Sequence, residues 1–296
     1  MTALCVCSAM SGEAISWFNS EEVEGNPVKL LKRQLAKQIG IPRFQQRWFH
    51  ENKELDDDSF LAVLASPSPC VQLVILDFVL PEEGQDEKFL SACAKNRCGE
   101  VETLLQLPLS PDVTDEEGWS PLLTAAWAGH WQCISLLLEA RANTDQEDAF
   151  GFTALHFAAQ KGHLKVSRLL LQAGTDKDRV ADDGATPLHW AAANGHLEVL
   201  QLLIEAGVDK DKVSEEDGFT ALHIAVQDGD VEVVRLLLQA GADKDQVHRS
   251  GQTAWHFAAQ TGDQEVMKLL SADNTEKALG HGGFFQIVRL SVSGFP

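Results

Sequence analysis

Four histidines recur at spacings of 33 or 34 residues and are the side chains that first suggest a metal site: His156, His189, His223 and His256. Two imidazoles that share a zinc ion must each place a nitrogen about 2.0–2.1 Å from it, whereas stacked helices lie about 8–10 Å apart. Each histidine also follows a threonine by three residues, which is position N3 of a helix that the threonine caps. Hydrogen bonding to the cap therefore explains the period, and we predict no metal site.

The six cysteines and the short catalytic motifs give no sign of an active site. Cys5 and Cys7 fall on a predicted strand, Cys133 falls within a predicted helix, and none lies among basic residues that would activate its thiol. The sequence contains no G-x-x-x-x-G-K, H-E-x-x-H or G-x-S-x-G motif. We predict reduced structural thiols, no catalytic residue, no cofactor and no enzyme activity.

The histidines belong to a longer repeat. Similar segments open at Gly118, Gly151, Gly184, Gly218 and Gly251, at spacings of 33, 33, 34 and 33 residues. Each segment reads as a capped first helix, a glycine turn, a second helix and an extended finger. Two helices of about ten residues cannot bury their apolar stripe alone, so neighbouring copies must cover it. The period therefore predicts a stack of helix pairs with finger turns.

The segment TPLHWAAANGHLEVLQLLIEAGVDK, at residues 186–210, resembles the ankyrin repeat almost position for position. The resemblance covers five units between about residues 115 and 270, and a degenerate leading unit at 87–105 keeps the apolar pattern. It implies an all-α ankyrin-repeat solenoid with finger turns. In that family the function is almost always the binding of another protein.

Partners of ankyrin-family stacks contact the finger tips and the exposed end of each first helix. The matching positions here combine aromatic rings with carboxylates, the ingredients of an interaction hot spot. A competing interpretation is that Trp119, Phe152 and Phe219, which occupy one slot in three units, hold neighbouring fingers together. The residues that the resemblance assigns to the groove are Trp119, Trp127, Phe150, Phe152, Gln160, Lys161, Asp182, Asp183, Asn194, Asp217, Phe219, Asp228, Arg249 and Gln252.

The first 80 residues follow another pattern. Residues 3–18 read as two strands around a turn, and VKLLKRQLAKQIG then places Val28, Leu31 and Leu35 on one helical face. The segment GIPRFQQRWFHENKELDDDSFL, at 40–61, resembles ubiquitin in the pattern G-I-P-x-x-Q-Q-R followed by K-x-L-x-D. The resemblance implies an α+β, ubiquitin-like β-grasp domain.

Ubiquitin carries an apolar patch that receptors recognise, and the matching positions here are Met10, Phe49, Gln72 and Val74, with Gln72 where ubiquitin has histidine. The resemblance implies a handle for a ubiquitin receptor. The alternative is that the apolar members pack on the neighbouring repeats. The last strand continues as LVILDFVLPEEG where ubiquitin ends in a diglycine tail, so conjugation to substrates is not expected.

Four segments follow from these patterns: a ubiquitin-like domain at 1–80, a linker at 81–87, an ankyrin stack of one degenerate and five recognisable repeats at 88–274, and an irregular tail at 275–296. A polar terminal unit is what a solenoid needs. Three interpretations of the tail stay open: an improvised cap over the last repeat, a disordered segment, or a fault in the reading frame.

The net charge limits the classes of binding partner. The chain has 24 basic and 44 acidic residues, a net charge of −20, and residues 1–80 hold only 7 of the basic and 10 of the acidic ones. The acidic repeats disfavour nucleic acid and anionic membranes and favour a basic client protein or peptide. The sequence shows no signal-peptide pattern and no apolar stretch of about 20 residues. We predict a monomeric protein of the cytoplasm or nucleus.

The sequence therefore predicts a non-enzymatic adaptor or scaffold. Its ankyrin groove would capture a basic client while the ubiquitin-like module is recognised by a ubiquitin receptor. The alternative is a structural or inhibitory solenoid that masks one target, with the β-grasp domain as its end cap.

Overall fold

The structure is a computed structural model that describes residues 4–8, 14–18, 28–50, 53–55, 70–75, 84–214 and 218–271. The expectations for Met10, Asp217 and the tail at 275–296 fall outside these residues. The chain divides between Asp182 and Asp183 into two compact units. The first unit holds a sheet and the leading repeats, and the second holds the later repeats.

The described strands of the first unit form a mixed five-stranded sheet with one helix. The elements are β1 (Leu4–Ser8), β2 (Ala14–Phe18), α1 (Val28–Ile39), β3 (Gln46–His50), β4 (Lys53–Glu54) and β5 (Cys70–Ile75). The strand order is β2-β1-β5-β3-β4. The central strand β5 runs parallel to β1 and antiparallel to β3, and the two outer pairs are antiparallel.

Helix α1 covers one face of this sheet. It buries Val28, Leu31 and Leu35, which confirms the helical face expected from the sequence. Alternate residues of the strands supply the other side of the core: Val6, Phe18, Trp48, Val71 and Leu73. Because side chains alternate across a strand, the residues between them point to the opposite face of the sheet.

Each repeat folds as two antiparallel helices, as the period predicted. In the first unit the helices are α2 (Gln85–Ala94), α3 (Cys98–Gln106), α4 (Pro121–Trp127), α5 (Trp131–Glu139), α6 (Ala154–Gln160) and α7 (Leu164–Ala173). In the second unit they are α8 (Pro187–Ala193), α9 (Leu197–Glu205), α10 (Ala221–Asp228), α11 (Val231–Gln239), α12 (Ala254–Thr261) and α13 (Gln264–Ser271).

The first repeat helix begins at Gln85, inside the segment 81–87 that the sequence marked as a linker. Gly84 adopts φ +77° at its N-cap, and Asp86 and Glu87 fall in the first turn. Acidic side chains stabilise a helix amino terminus, so the polar composition that suggested a linker instead starts a helix. No helix in the described part of the chain is long and apolar enough to cross a bilayer.

Replacing Gly151 with alanine should destabilise the first unit more than the equivalent change at Gly251 in the last repeat. Both glycines have φ between 75° and 79°, where a side chain costs about 1–2 kcal/mol. A Cβ at Gly151 would also lie 3.0 Å from the backbone nitrogen of Asp182, whereas nothing lies within 4 Å at Gly251.

This steric contact should add about 1–3 kcal/mol to the loss at Gly151. The measurement is the difference in urea unfolding free energy between the two variants. Equal losses would show that finger-to-finger contact does not limit this position.

Candidate protein-binding surface

The recurring histidines complete capping boxes at the first helices, as the sequence predicted. At α8, His189 Nδ1 accepts the N–H of Thr186 at 3.0 Å and lies 2.7 Å from Thr186 Oγ1. Its Nε2 lies 3.1 Å from the carbonyl oxygen of Phe219, which can only accept, so Nε2 carries the proton. The same box joins Thr153 to His156, Thr220 to His223 and Thr253 to His256.

Acid should weaken these caps. Burial lowers the pKa of His189, and burial together with nearby His248 lowers the pKa of His223, from the ordinary value of 6.5. Below pH 6.5 the unfolded chain therefore binds protons that the folded repeats exclude. The stability of the second unit should fall as the pH drops below 6.5, by at most about 1.4 kcal/mol per pH unit for each histidine.

Urea unfolding at about pH 7.5 and about pH 5.5 measures this pH dependence of the unfolding free energy, which we call the pH slope. His189→Gln, which keeps an acceptor but cannot gain a proton, should reduce it. An unchanged slope in that variant would contradict a role for His189.

Carboxylates of the finger turns bind the next finger through its backbone. The N–H of Asn143 donates to Asp112 Oδ1 at 2.7 Å, and the N–H of Asp176 donates to Asp145 Oδ1 at 2.9 Å. These bonds explain why acidic residues recur with the finger. In the described residues, no group of three or more His, Cys, Asp or Glu side chains could hold a metal ion.

Two predicted groove rings pack within the first unit. Trp119 stacks on Phe157 at a centroid distance of 4.9 Å, and Phe152 also stacks on Phe157, at 5.5 Å. Phe157 lies in α6 and is buried, while Trp119 and Phe152 are half-buried. The contacts support the interpretation that these two rings hold successive fingers together. Phe157 itself was not selected from the sequence, because it lies inside the apolar helix motif.

Two other rings reach solvent in the first unit. Trp127, the last residue of α4, is 41% exposed, and Phe150, at a finger tip, is 67% exposed. The Trp127 ring stands edge-on to Phe157 at 5.4 Å. Lys161 places Nζ 3.7 Å from the centroid of the Trp127 ring, which is a cation–π contact. We name Trp127 and Phe150 the exposed ring pair.

Hydrogen bonds within the chain hold the finger that carries Phe150 in place. Asp148 Oδ1 accepts the N–H groups of Phe150 and Phe152, both at 2.9 Å. The carbonyl of Phe150 accepts the N–H of Asp182 at 3.0 Å. Asp182 is exposed, as is Glu117 on the preceding finger, whose carbonyl accepts the N–H of Ala149, so the fingers on either side of Phe150 carry exposed acidic residues.

The second unit has its own aromatic cluster. Phe219 is half-buried and lies 4.3 Å from His248 and 5.5 Å from Phe257, measured between ring centroids. A cavity of about 640 Å³ lies beside it and is lined by Val247, Arg249 and neighbouring finger residues. Phe219 thus packs on the following repeat, and exposed Arg249 borders the cavity.

The remaining predicted groove residues are exposed or half-buried where the structure describes them. Asn194 donates its side-chain N–H to the carbonyl of Trp190 at 2.9 Å and so closes α8. Asn194 and Asp228 are exposed, while Gln160, Asp183 and Gln252 are half-buried.

The predicted ubiquitin-like patch lies on the sheet face opposite α1. Phe49 pairs with Gln72, and Arg47 pairs with Val74, along the β3–β5 ladder. Gln72 is exposed, and Phe49 and Val74 are half-buried. The described members of the patch are therefore adjacent on one face.

We call strands β1–β5 with helix α1 and the adjoining residues 40–45 the sheet module. An ion cluster that the sequence did not predict joins this module to the repeats of the first unit. Arg43, whose side chain is 0% exposed, donates from Nη2 to Glu102 Oε1 at 2.6 Å and from Nε to Glu139 Oε1 at 2.5 Å. Arg33 also binds Glu139, at 2.5 and 2.7 Å, and Lys29 binds Glu102. Arg43 thus bridges α3 and α5.

Hydrogen bonds hold the central carboxylate of this cluster in its charged form. Burial alone would raise the pKa of Glu102, but hydrogen bonds from Lys29 and Arg43 outweigh it and lower that pKa from the ordinary value of 4.5. The Arg47 guanidinium donates to the carbonyl of Gln106 at the end of α3. The module is therefore held through several charged contacts.

A family model described as Ankyrin repeats (3 copies) matches residues 89–181, 141–214 and 188–279. These matches together cover more than half of the 296 residues. The chain belongs to the ankyrin-repeat family. Ankyrin repeats generally mediate protein–protein interaction, and the family is typically non-enzymatic. The comparison with curated proteins gave no match.

Proposed function

We propose that this protein is a non-enzymatic adaptor whose repeats capture a basic client protein. The observation that carries the proposal is the exposed ring pair of the first unit, with exposed Glu117 and Asp182 on the fingers next to Phe150. Large solvent-exposed rings on a rigid support are typical binding hot spots. The net charge of −20 favours a partner segment rich in lysine and arginine.

Arginine side chains of such a client fit both features. A guanidinium can stack on the Trp127 ring in the position where Lys161 Nζ now lies, and it can pair with the neighbouring carboxylates. Because the attraction includes exposed charges, salt should weaken it. We place this activity in the cytoplasm or nucleus.

Capture of basic proteins by the full chain, at low and at high salt, tests this proposal. We expect the retained proteins to be basic at the contacting segment and to be released as the salt concentration rises. A retained set that is acidic, or that is indifferent to salt, would contradict a basic client.

We further propose that the sheet module is a ubiquitin-like β-grasp domain and acts as a handle for a ubiquitin receptor. Parallel pairing of β1 with the central β5 and the packing of helix α1 across one face support this assignment. The adjacent Phe49, Gln72 and Val74 support a recognition patch on the other face.

Phe49→Ala in the full chain should abolish binding to a generic ubiquitin receptor, since an apolar anchor contributes about 2 kcal/mol or more at a hot spot. Gln34→Ala, on the exposed side of α1, is the control and should leave binding unchanged. Isothermal titration with the receptor measures both. If the wild-type chain does not bind, the handle is wrong.

A second role for the module is that of an end cap for the repeats. The observation in its favour is Arg43, which is fully buried between carboxylates of α3 and α5. A solenoid needs its terminal unit covered by a polar-faced element. Under this alternative the protein is a structural or inhibitory solenoid that masks one target.

A further inference from the structure

Two thiols of the first unit lie in van der Waals contact. Cys98 is the first residue of α3 and is half-buried, and Cys133 lies in α5 and is buried. Their Sγ atoms are 3.6 Å apart. Asn96 Oδ1 accepts from both, at 3.4 Å from Cys98 Sγ and 3.5 Å from Cys133 Sγ. Because a disulfide has an S–S distance of about 2.05 Å, an approach of about 1.5 Å would join them.

We propose that Cys98 and Cys133 form a reversible disulfide when the protein meets a hydroperoxide. The Cys98 sulfur attacks the peroxide, the O–O bond breaks, and an alcohol, or water when the oxidant is hydrogen peroxide, leaves as Cys98 becomes a sulfenic acid. The Cys133 sulfur then attacks the Cys98 sulfur, the S–O bond breaks, and a water leaves with the thiol proton. Two thiols lose two electrons in total, and with hydrogen peroxide as the oxidant one peroxide molecule becomes two waters.

The environment assigns the order of these steps. Cys98 is the member of the pair that reaches solvent, so peroxide meets it first. Burial raises the pKa of Cys133, and hydrogen bonding to Cys98 adds to the shift, so Cys133 stays a thiol until its partner is oxidised. Burial also raises the pKa of Cys93, the neighbouring buried thiol in α2, which makes it the internal control.

The bond would link the two helices that hold the sheet module. Glu102 follows Cys98 by about one turn of α3, and Glu139 ends α5. These two carboxylates bind Arg43 from either side. A covalent link between Cys98 and Cys133 would therefore restrict the separation of the two carboxylates. Oxidation would thus make release of the module from the repeats less frequent.

Peptide mapping of the full chain after brief hydrogen peroxide treatment tests the pairing. Free thiols are blocked with N-ethylmaleimide before digestion with trypsin and Glu-C protease. These enzymes place Cys93, Cys98 and Cys133 on the separate peptides 89–95, 98–100 and 118–139. We expect a linked species of 98–100 with 118–139, the loss of maleimide from both peptides, and its return after dithiothreitol.

Two variants make the result specific. Cys93→Ser should retain the linked species, whereas Cys98→Ser, a change at a half-buried helix start, should abolish it. Hydrogen exchange of residues 28–50 should become slower in the oxidised wild-type chain and remain unchanged in Cys98→Ser. Linkage of Cys93 to either partner, or fully alkylated peptides after peroxide, would overturn the proposal.

Discussion

Replacing Arg43 with alanine should cost about 3–5 kcal/mol in free energy of unfolding of the first unit, because it removes the central cation of a buried cluster. The guanidinium is fully buried and donates to Glu102 and Glu139 together. Its loss leaves two partly buried carboxylates with the outer partners Lys29 and Arg33. Urea unfolding combined with hydrogen exchange over residues 28–50 would measure the loss and show where it falls.

Arg33→Ala is the matched control, because Arg33 binds the same Glu139 but its side chain is 40% exposed. Exposed ion pairs contribute about 0–1 kcal/mol, so this variant should stay close to wild type. Arg43→Lys should lie between the two, since an ammonium cannot reproduce the forked donor geometry. Similar small losses for Arg43→Ala and Arg33→Ala would show that burial of Arg43 does not hold the module.

The Arg43→Ala variant also distinguishes the two proposed roles of the module. If the module loosens while the repeats keep their own unfolding transition, the module is an attached domain, as the handle requires. If α2 and α3 lose protection together with residues 28–50, the module is part of the repeat stack and acts as its end cap. Hydrogen exchange resolves these outcomes because each segment gives its own peptides.

Local features were predictable from the sequence because they depend on residues a few positions apart. The capping boxes of His156 and His189 follow from a threonine three positions earlier, and the apolar face of α1 follows from helical spacing. The close contact at Gly151 does not follow from the repeat period, because Gly251, at the same position of its repeat, has no neighbouring atom within 4 Å of an added Cβ.

Contacts between distant segments were not predictable in this way. Arg43 meets Glu139 across 96 positions, and Cys98 meets Cys133 across 35. A periodic pattern assigns each residue to an element but does not specify which side chains meet where two elements dock. For the same reason the sequence grouped Trp119 with Trp127, whereas the structure half-buries the first and exposes the second.

This difference changes which rings should matter for binding. Trp119 and Phe152 clamp the buried Phe157, so their truncation would alter the fold as well as the surface. Trp127 and Phe150 can be removed with less damage, because much of each ring already faces solvent. Combined replacement of the exposed ring pair by alanine therefore tests binding with less effect on the fold than replacement of Trp119 and Phe152.

We expect Trp127→Ala with Phe150→Ala to weaken client binding by about 30-fold or more, which corresponds to the 2 kcal/mol that defines a hot spot. Titration calorimetry with the basic client recovered by the wild-type chain measures this loss. Unfolding in urea, followed in parallel, should show a cost of about 1 kcal/mol. A larger cost would mean that the pair supports the fold.

Trp131→Ala supplies the control for an exposed tryptophan. Trp131 is 40% exposed and lies beneath Lys165, whose Nζ is 5.3 Å from its ring centroid, so it matches Trp127 in exposure and in its cationic neighbour. It begins α5, the second helix of its repeat, and lies outside the predicted groove. Unchanged affinity in Trp131→Ala beside a large loss in the double variant would assign binding to the fingers and first helices. Equal losses in both would mean that the client contacts exposed tryptophans irrespective of the groove.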